Sequence, residues 1–371
     1  MLGACVVSAC TWKESAVDNV PATDNVEQMS DVAKMMSDLP LGKEHLDEVF
    51  LAVNGSSDNG YDEEYMFSDL FTAPGKGVGG STKSAYRSPS GSCLRDLITE
   101  YVSSRRSTKA GSASEAEDYL NSLSSSDLQI YWPYSDNWDG EEFPIVTFDP
   151  GYGSETNYGY RIRMTDSGAR VVDSVVVNEA VAQTHPVWVI NRNDDCGFTP
   201  LDVFSRANGP APQSASRKLM LKSFTMLRNY DSWFGGASEF FIKCGSVNGF
   251  SARTEAEMRN YQPSVTDFVV VVKRRYVGKA VPFDVMLISD FTSQMSKIAF
   301  IVVEDDGGTT TNWKCSAMVK INSKSYGFEM DIPYKEKDDI VWRGQIDASF
   351  FQEEDEVTGR FGDVLISFAL E

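Results

Sequence analysis

Histidine is nearly missing from this chain: there are two in 371 residues, His45 and His185. Any Ser/His/Asp relay has to run through one of them, and no G-x-S-x-G stretch is present to hold a nucleophile. The six cysteines form no C-x-x-C pair and no Cys/His spacing, which removes the usual zinc frameworks. Positive charge is scarce, with 34 Lys and Arg against 54 Asp and Glu, a net −20. Such a field repels phosphate backbones and sets nucleic acid aside as a partner. The short basic runs Arg105-Arg106 and Lys273-Arg274-Arg275 read as solvated faces or local charge partners. No apolar run approaches the roughly 20 residues of a membrane-spanning helix, and no repeat of fixed period is visible.

What is present is globular composition, 42% hydrophobic and 24% charged, in a chain too long for one ordinary core. Residues 26–126 carry apolar side chains at three- and four-residue spacing, with Pro40 as a boundary between the first two amphipathic segments. From Leu128 onward the pattern changes to short β-branched and aromatic runs divided by Asp, Gly, Asn and Pro. The expected fold is α+β: a leader remnant and tether over 1–25, a small helical domain over 26–126, a β-rich domain over 127–263 and a C-terminal β-sandwich over 264–371.

The chain opens MLGACVVSACTWKES. Val7-Ser8-Ala9-Cys10 resembles the lipobox of bacterial lipoproteins, and Leu2-Gly3-Ala4-Cys5 resembles it nearly as well. A charged n-region and an apolar h-region would have to precede it, so the expectation is a truncated signal with Cys10 as the lipid-attachment site. The polar stretch after Cys10 suits a tether, and the expected location is the bacterial cell envelope, with the membrane as a partner through the anchor. Of the other cysteines, Cys93, Cys196, Cys244 and Cys315 read as buried free thiols, with disulfides as the alternative.

The stretches YDSWFGGASEFFIKCG (230–245) and HPVWVIN (185–191) resemble a group of secreted and lipid-anchored bacterial proteins of unassigned role. The resemblance spans about 115–310 and implies secretion and the same order of units. It transfers no catalytic residues.

Three acidic loops carry oxygen donors of the kind Ca²⁺ takes: 135–142, 191–197 and 304–308. Ser135, Asn137, Asp139 and Gly140 mimic the first half of an EF-hand, but Val146 stands where its bidentate Glu belongs. The candidate metal ligands are Asp136, Asp139, Asp194 and Asp195, with Glu141 nearby, and Ca²⁺ is the cofactor this chemistry suits. The same residues are ordinary turn formers. Trp132, Tyr134 and Trp138 sit among Asp, Asn and Gly and are the candidate ligand-binding rings for a glycan or peptide; strand alternation can equally bury them. Gly75 to Gly80 spells G-x-G-x-x-G but follows a helix and Pro74, so it reads as a linker. His45 reads as a surface residue of a helix and His185 as a strand-entry residue. The expected function is binding or architecture at the envelope, with a secreted hydrolase, metal-assisted or using His185, as the alternative.

Overall fold

The structure, a computed structural model, describes residues 22–71, 93–106, 113–165, 167–193, 217–352 and 354–371. Cys10, the Gly75–Gly80 stretch, Asp194, Asp195 and Cys196 lie outside the described residues. Pro40 falls between α1 (Ala22–Asp38) and α2 (Lys43–Asp58), as a residue without an amide hydrogen should. Met29, Val32, Ala33 and Met36 of α1, and Leu46, Val49 and Val53 of α2, repeat at helical spacing and are all buried. His45 is buried rather than superficial: its Nδ1 accepts the Gly42 amide at 2.9 Å and caps the start of α2. After the short β1 (Glu64–Met66) come α3 (Phe67–Phe71), α4 (Cys93–Arg106) and α5 (Ala113–Ser124). Cys93 is exposed and Cys315 half-buried, so of the described cysteines only Cys244 matches the expected buried thiol.

Five further strands complete the first sheet: β2 (Leu128–Tyr131), β3 (Ile145–Phe148), β4 (Asn157–Met164), β5 (Arg170–Val177) and β6 (Val187–Arg192). A one-turn helix, α6 (Glu179–Ala182), leads into β6. The strand order is β1-β2-β6-β3-β4-β5, antiparallel except for the β3/β6 pair. Helices α1 to α5 pack on one face. Met36, Val49, Leu94 and Ile98 share a single core with Ile130, Trp132, Val146, Trp188 and Ile190. Residues 26–126 therefore do not form a core of their own, because the apolar faces of the helices are completed by strands beyond the expected boundary.

The second unit is a β-sandwich. One sheet runs β10 (Val281–Phe291), β7 (Arg217–Met226), β16 (Val364–Leu370), β15 (Glu356–Phe361). The other runs β13 (Lys324–Lys335), β12 (Thr310–Ile321), β11 (Met295–Glu304), β8 (Ser238–Ser246), β9 (Ser264–Val272), with β14 (Asp339–Asp347) also paired to β11. A second one-turn helix, α7 (Glu255–Met258), precedes β9. Alternate residues turn inward: Leu219, Leu221 and Phe224 meet Phe240, Ile242 and Cys244, with Phe300, Ile366 and Phe368 between them. Strands β7 and β8 thus belong to the sandwich, not to the 127–263 unit expected from the sequence. Among the described residues no helix is long and apolar enough to cross a membrane.

Two features position the functional surfaces. The loop between β7 and β8 reaches out of the sandwich and plugs the second face of the first sheet. Trp233 and Phe234, both fully buried, pack there on Tyr131, Ile145, Val187 and Val189. The β12–β13 hairpin, paired without a bulge from Thr310↔Lys335 to Ile321↔Lys324, meets β11 only at Val319 and Met318. It then folds over the outer face of the sandwich, bringing Trp313, Met330 and Ile332 onto Phe241, Ile301 and Val303. Gly245 allows this close approach, since a Cβ there would lie 2.3 Å from Met330 Sδ.

Candidate functional site

Of the aromatic residues expected to meet a ligand, Trp132 is buried in the core, while Tyr134 and Trp138 are half-buried. Trp132 is 1% exposed. Its ring stands 5.8 Å from Trp188 and 5.3 Å from Trp138, with Phe50 at 5.9 Å, all in edge-to-face geometry. The cause is position: β2 is an inner strand, and α2 covers the face to which Trp132 points. Tyr134, in the left-handed conformation at φ 59°, is half-buried and donates its hydroxyl to Glu179 Oε1 at 2.7 Å. Trp138 donates Nε1 to the Glu142 carbonyl at 2.9 Å, and the Lys43 ammonium lies 5.4 Å from its ring.

Of the acidic candidates, only Asp136 and Asp139 fall among the described residues. Asp136 pairs with the Arg275 guanidinium at 2.9 Å. Asp139 accepts the amides of Glu142 and Glu141 at 2.9 and 2.8 Å, bonds that hold its carboxyl below the usual range and mark a turn. His185 Nδ1 meets Glu142 Oε1 at 2.8 Å, with both side chains about 40% exposed. Among the described residues no hydroxyl or thiol is hydrogen-bonded to that ring.

Instead, charge collects at the junction of the two units. The turn after β9 carries Lys273, Arg274 and Arg275, the run read from the sequence as a solvated face or local charge partners. Arg274 bonds Glu179 at 2.8 Å and the Asp231 carbonyl at 2.8 Å. Arg275 bonds Glu63 at 2.7 Å, and Lys273 bonds the Ser57 hydroxyl. Asp62 accepts the Ala237 amide at 2.8 Å, so the first unit holds the plug loop directly. Burial pushes both the Asp62 and Glu63 carboxyls up, and the neighbouring Lys273 and Arg275 charges only partly offset it. For Glu179 the balance reverses: burial works upward, but the Arg274 and Tyr134 hydrogen bonds outweigh it and hold the carboxyl low.

Beside the junction, the third acidic loop does bring carboxylates together. Glu304 and Asp306 lie with Asp231 so that one oxygen of each falls within 4.8 Å of the others. These are hard oxygen donors, three against the six to eight that Ca²⁺ takes. Burial, then the charges of Asp231, Asp339 and Asp305, raises Asp306 to about 6. Asp338, close by, is raised to about 6 chiefly by burial, against the Lys335 and Asp306 amides that bond it.

Among the described residues lie two concavities large enough for a small ligand. A cleft of 440 Å³ at the junction is walled by α2, the Arg275 turn and the start of β10, with Asp58, Asp136, Lys273 and Arg275 as its charged groups. The larger, 610 Å³, opens between the β12–β13 hairpin and β14. A half-buried ring, Trp313, forms part of its wall with Met330 and Cys315. Glu329, Asp331, Lys314 and Gln345 are exposed around it. Gln345 Nε2 spans the groove to the Ser316 carbonyl at 2.7 Å, tying β14 to the hairpin. Burial pushes the Cys315 thiol to about 11, with the Asp331 charge adding to the effect, so it stays protonated. The arrangement can stack a ring-shaped ligand and accept or donate hydrogen bonds at its rim.

Sequence reasoning missed this groove. Its one visible signal was alternation through WKCSAMVKIN, and only pairing that strand with YGFEMDIPY across a tight turn sets Ser316 opposite Glu329 and Lys314 opposite Asp331. With the geometry in place, the fold defines an α+β chain in which a helix-covered mixed sheet docks on a β-sandwich. No family model matches the chain, and comparison with curated proteins and with solved structures finds no match to it.

Proposed function

We propose that this chain is a bacterial cell-envelope lipoprotein that acts by binding, with a glycan seated in the groove between the β12–β13 hairpin and β14. The observation that carries the reading is the half-buried Trp313 ring set among Ser316, Glu329, Asp331 and Gln345. A sugar presents an apolar C–H face to an aromatic ring and hydroxyls to carboxylates and amides around it. The net charge of −20, with Glu329 and Asp331 at the rim, favours neutral or amino sugars over anionic ones. Lipid attachment at Cys10, followed by the polar tether, would hold this groove at the envelope surface.

Titration calorimetry against a panel of neutral and amino oligosaccharides tests the glycan reading. Binding is expected for at least one of them, lost in Trp313→Ala and weakened in Glu329→Gln. Because Trp313 also packs on the sandwich, Glu329→Gln, at an exposed site, separates lost recognition from lost stability. Binding that both variants retain in full overturns the assignment, as does a panel with no binder. For the anchor, metabolic labelling with a fatty-acid analogue is expected to mark the wild type and not Cys10→Ala; equal labelling refutes Cys10.

A further inference from the structure

A charge withdrawn from water is costly unless another charge answers it, and the cleft at the junction holds such a charge. Lys273 is half-buried in its wall, and among the described residues no carboxylate forms an ion pair with it. Its hydrogen-bond partner is neutral, the Ser57 hydroxyl. An ammonium carries three donors, so one hydroxyl leaves the others to whatever enters the cleft. The second cation there is already engaged: Arg275 bonds Asp136 at 2.9 Å and the buried Glu63 at 2.7 Å.

The residue after Ser57 supplies the opposite charge. Asp58 is exposed in the same cleft and, among the described residues, forms neither an ion pair nor a hydrogen bond. Consecutive Cα atoms lie about 3.8 Å apart, so the hydroxyl that holds Lys273 keeps its ammonium close to Asp58. The two charges stand near each other and do not pair. Val269 and Val271 of β9 and Phe283 of β10 add an apolar wall. A volume of 440 Å³ lies toward the small end for ligand clefts and suits a compact molecule. A simple anion would meet Asp58, Asp136 and a net charge of −20 on its way to Lys273. A simple cation would meet Lys273 and Arg275. A zwitterion has no net charge and answers both free groups.

We propose that this cleft binds a free α-amino acid with an apolar side chain, its carboxylate on Lys273, its ammonium on Asp58 and its side chain against Val271 and Phe283. The site is separate from the groove beside β14 and does not depend on the glycan reading. Its walls come from both units, α2 from the first and β9 and β10 from the sandwich, so the bound molecule bridges them.

Titration calorimetry of the full chain against L-leucine and L-phenylalanine, up to about 10 mM, is expected to show binding of at least one of them. Removing either charge from that ligand, as its amide or its N-acetyl derivative, should weaken binding at least about tenfold, as loss of a charged hydrogen bond does. Lys273→Gln, which can still donate to Ser57, and Asp58→Asn, at an exposed site, should each weaken binding of the unmodified amino acid by a similar factor. Circular dichroism and melting of the ligand-free chain should stay near the wild type in Asp58→Asn, which decides the matter if Lys273→Gln does not fold. No binding of either amino acid overturns the proposal. So does equal binding of the blocked derivatives, or binding that Asp58→Asn retains in full.

Discussion

Trp233 offers the sharpest test of how the two units are held together. It belongs by sequence to the sandwich, between β7 and β8, yet its indole is fully buried on the back of the first sheet. There it stacks 4.0 Å from Phe234, centroid to centroid, and donates Nε1 to the Glu155 carbonyl at 3.0 Å. Removing such a side chain forfeits its transfer free energy and leaves a cavity the sheet cannot fill, together about 3–5 kcal/mol. The orphaned Glu155 carbonyl can turn to water, so the lost hydrogen bond adds only about 1 kcal/mol. Against a typical total of about 5–15 kcal/mol this is a large loss, and it should fall unevenly. In Trp233→Ala, hydrogen exchange should quicken by two to three orders of magnitude, roughly, in β3, β4 and β6, while β7, β8 and β16 keep their protection. Guanidinium unfolding should split, with Trp132, Trp138 and Trp188 reporting the earlier transition. A uniform loss across both units, or a loss below about 1 kcal/mol, refutes the idea that this loop is the wedge.

Other perturbations test the junction and the turns. Arg275→Met leaves the Glu63 carboxylate, 3% exposed, without its 2.7 Å partner and should cost about 3–5 kcal/mol, most of it regained when Glu63→Gln is added; chemical denaturation of the cycle measures both. Gly362→Ala should cost at least about 2 kcal/mol by the same assay, because φ is +61° and the new Cβ would sit 2.2 Å from the Val341 carbonyl oxygen. Asp338 is raised from 3.8 to about 6, so the folded state binds its proton more tightly than the unfolded chain. Its contribution is therefore full below about pH 4 and lost as pH rises through about 6, so melting temperature should fall over that window, less steeply in Asp338→Asn. Cleavage near Ser125 should nick the chain without separating the fragments on a sizing column, since helices and strands share one core.

Much of the architecture was legible because it depends on local periodicity. The helical spacing in 26–126, the stop at Pro40 and the change to alternation after Leu128 all reflect which faces must be buried, and each has its counterpart in the structure. The cores were not legible, because they depend on which faces meet. Nothing local in LMLKSFTML distinguishes a strand of the middle unit from one that pairs with β16 at the far end of the chain. The same limit applies to the burial of His45: helical spacing places it near the start of α2, where its bond to the Gly42 amide is local, but that spacing alone does not say the ring is buried.

Side-chain chemistry was misread where composition stood in for position. Trp132, Tyr134 and Trp138 looked like a ligand surface because Asp, Asn and Gly surround them, yet those polar residues form the turn at Ser135–Asn137, while Trp132 and Trp138 pack in the core beneath α2 and Tyr134 packs on the opposite face with Trp233 and Phe234. Trp313 has the opposite history. It sits in a strand whose alternation looks like any other, and it becomes part of a wall because the hairpin leaves β11 after Val319 and Met318. That departure has a cause visible only in three dimensions: β8 already occupies the edge of β11 from Ala299 to Glu304, so β12 has no strand to pair with there. Its apolar side chains must find another surface, and the outer face of β8 and β11 supplies Phe241, Ile301 and Val303. A strand displaced from a sheet edge but held on the sheet's face leaves a gap on the side where the next strand, β14, continues. The groove is thus a consequence of two strands competing for one edge, and its polar rim follows from the register Lys314↔Asp331 and Ser316↔Glu329 that the hairpin turn imposes.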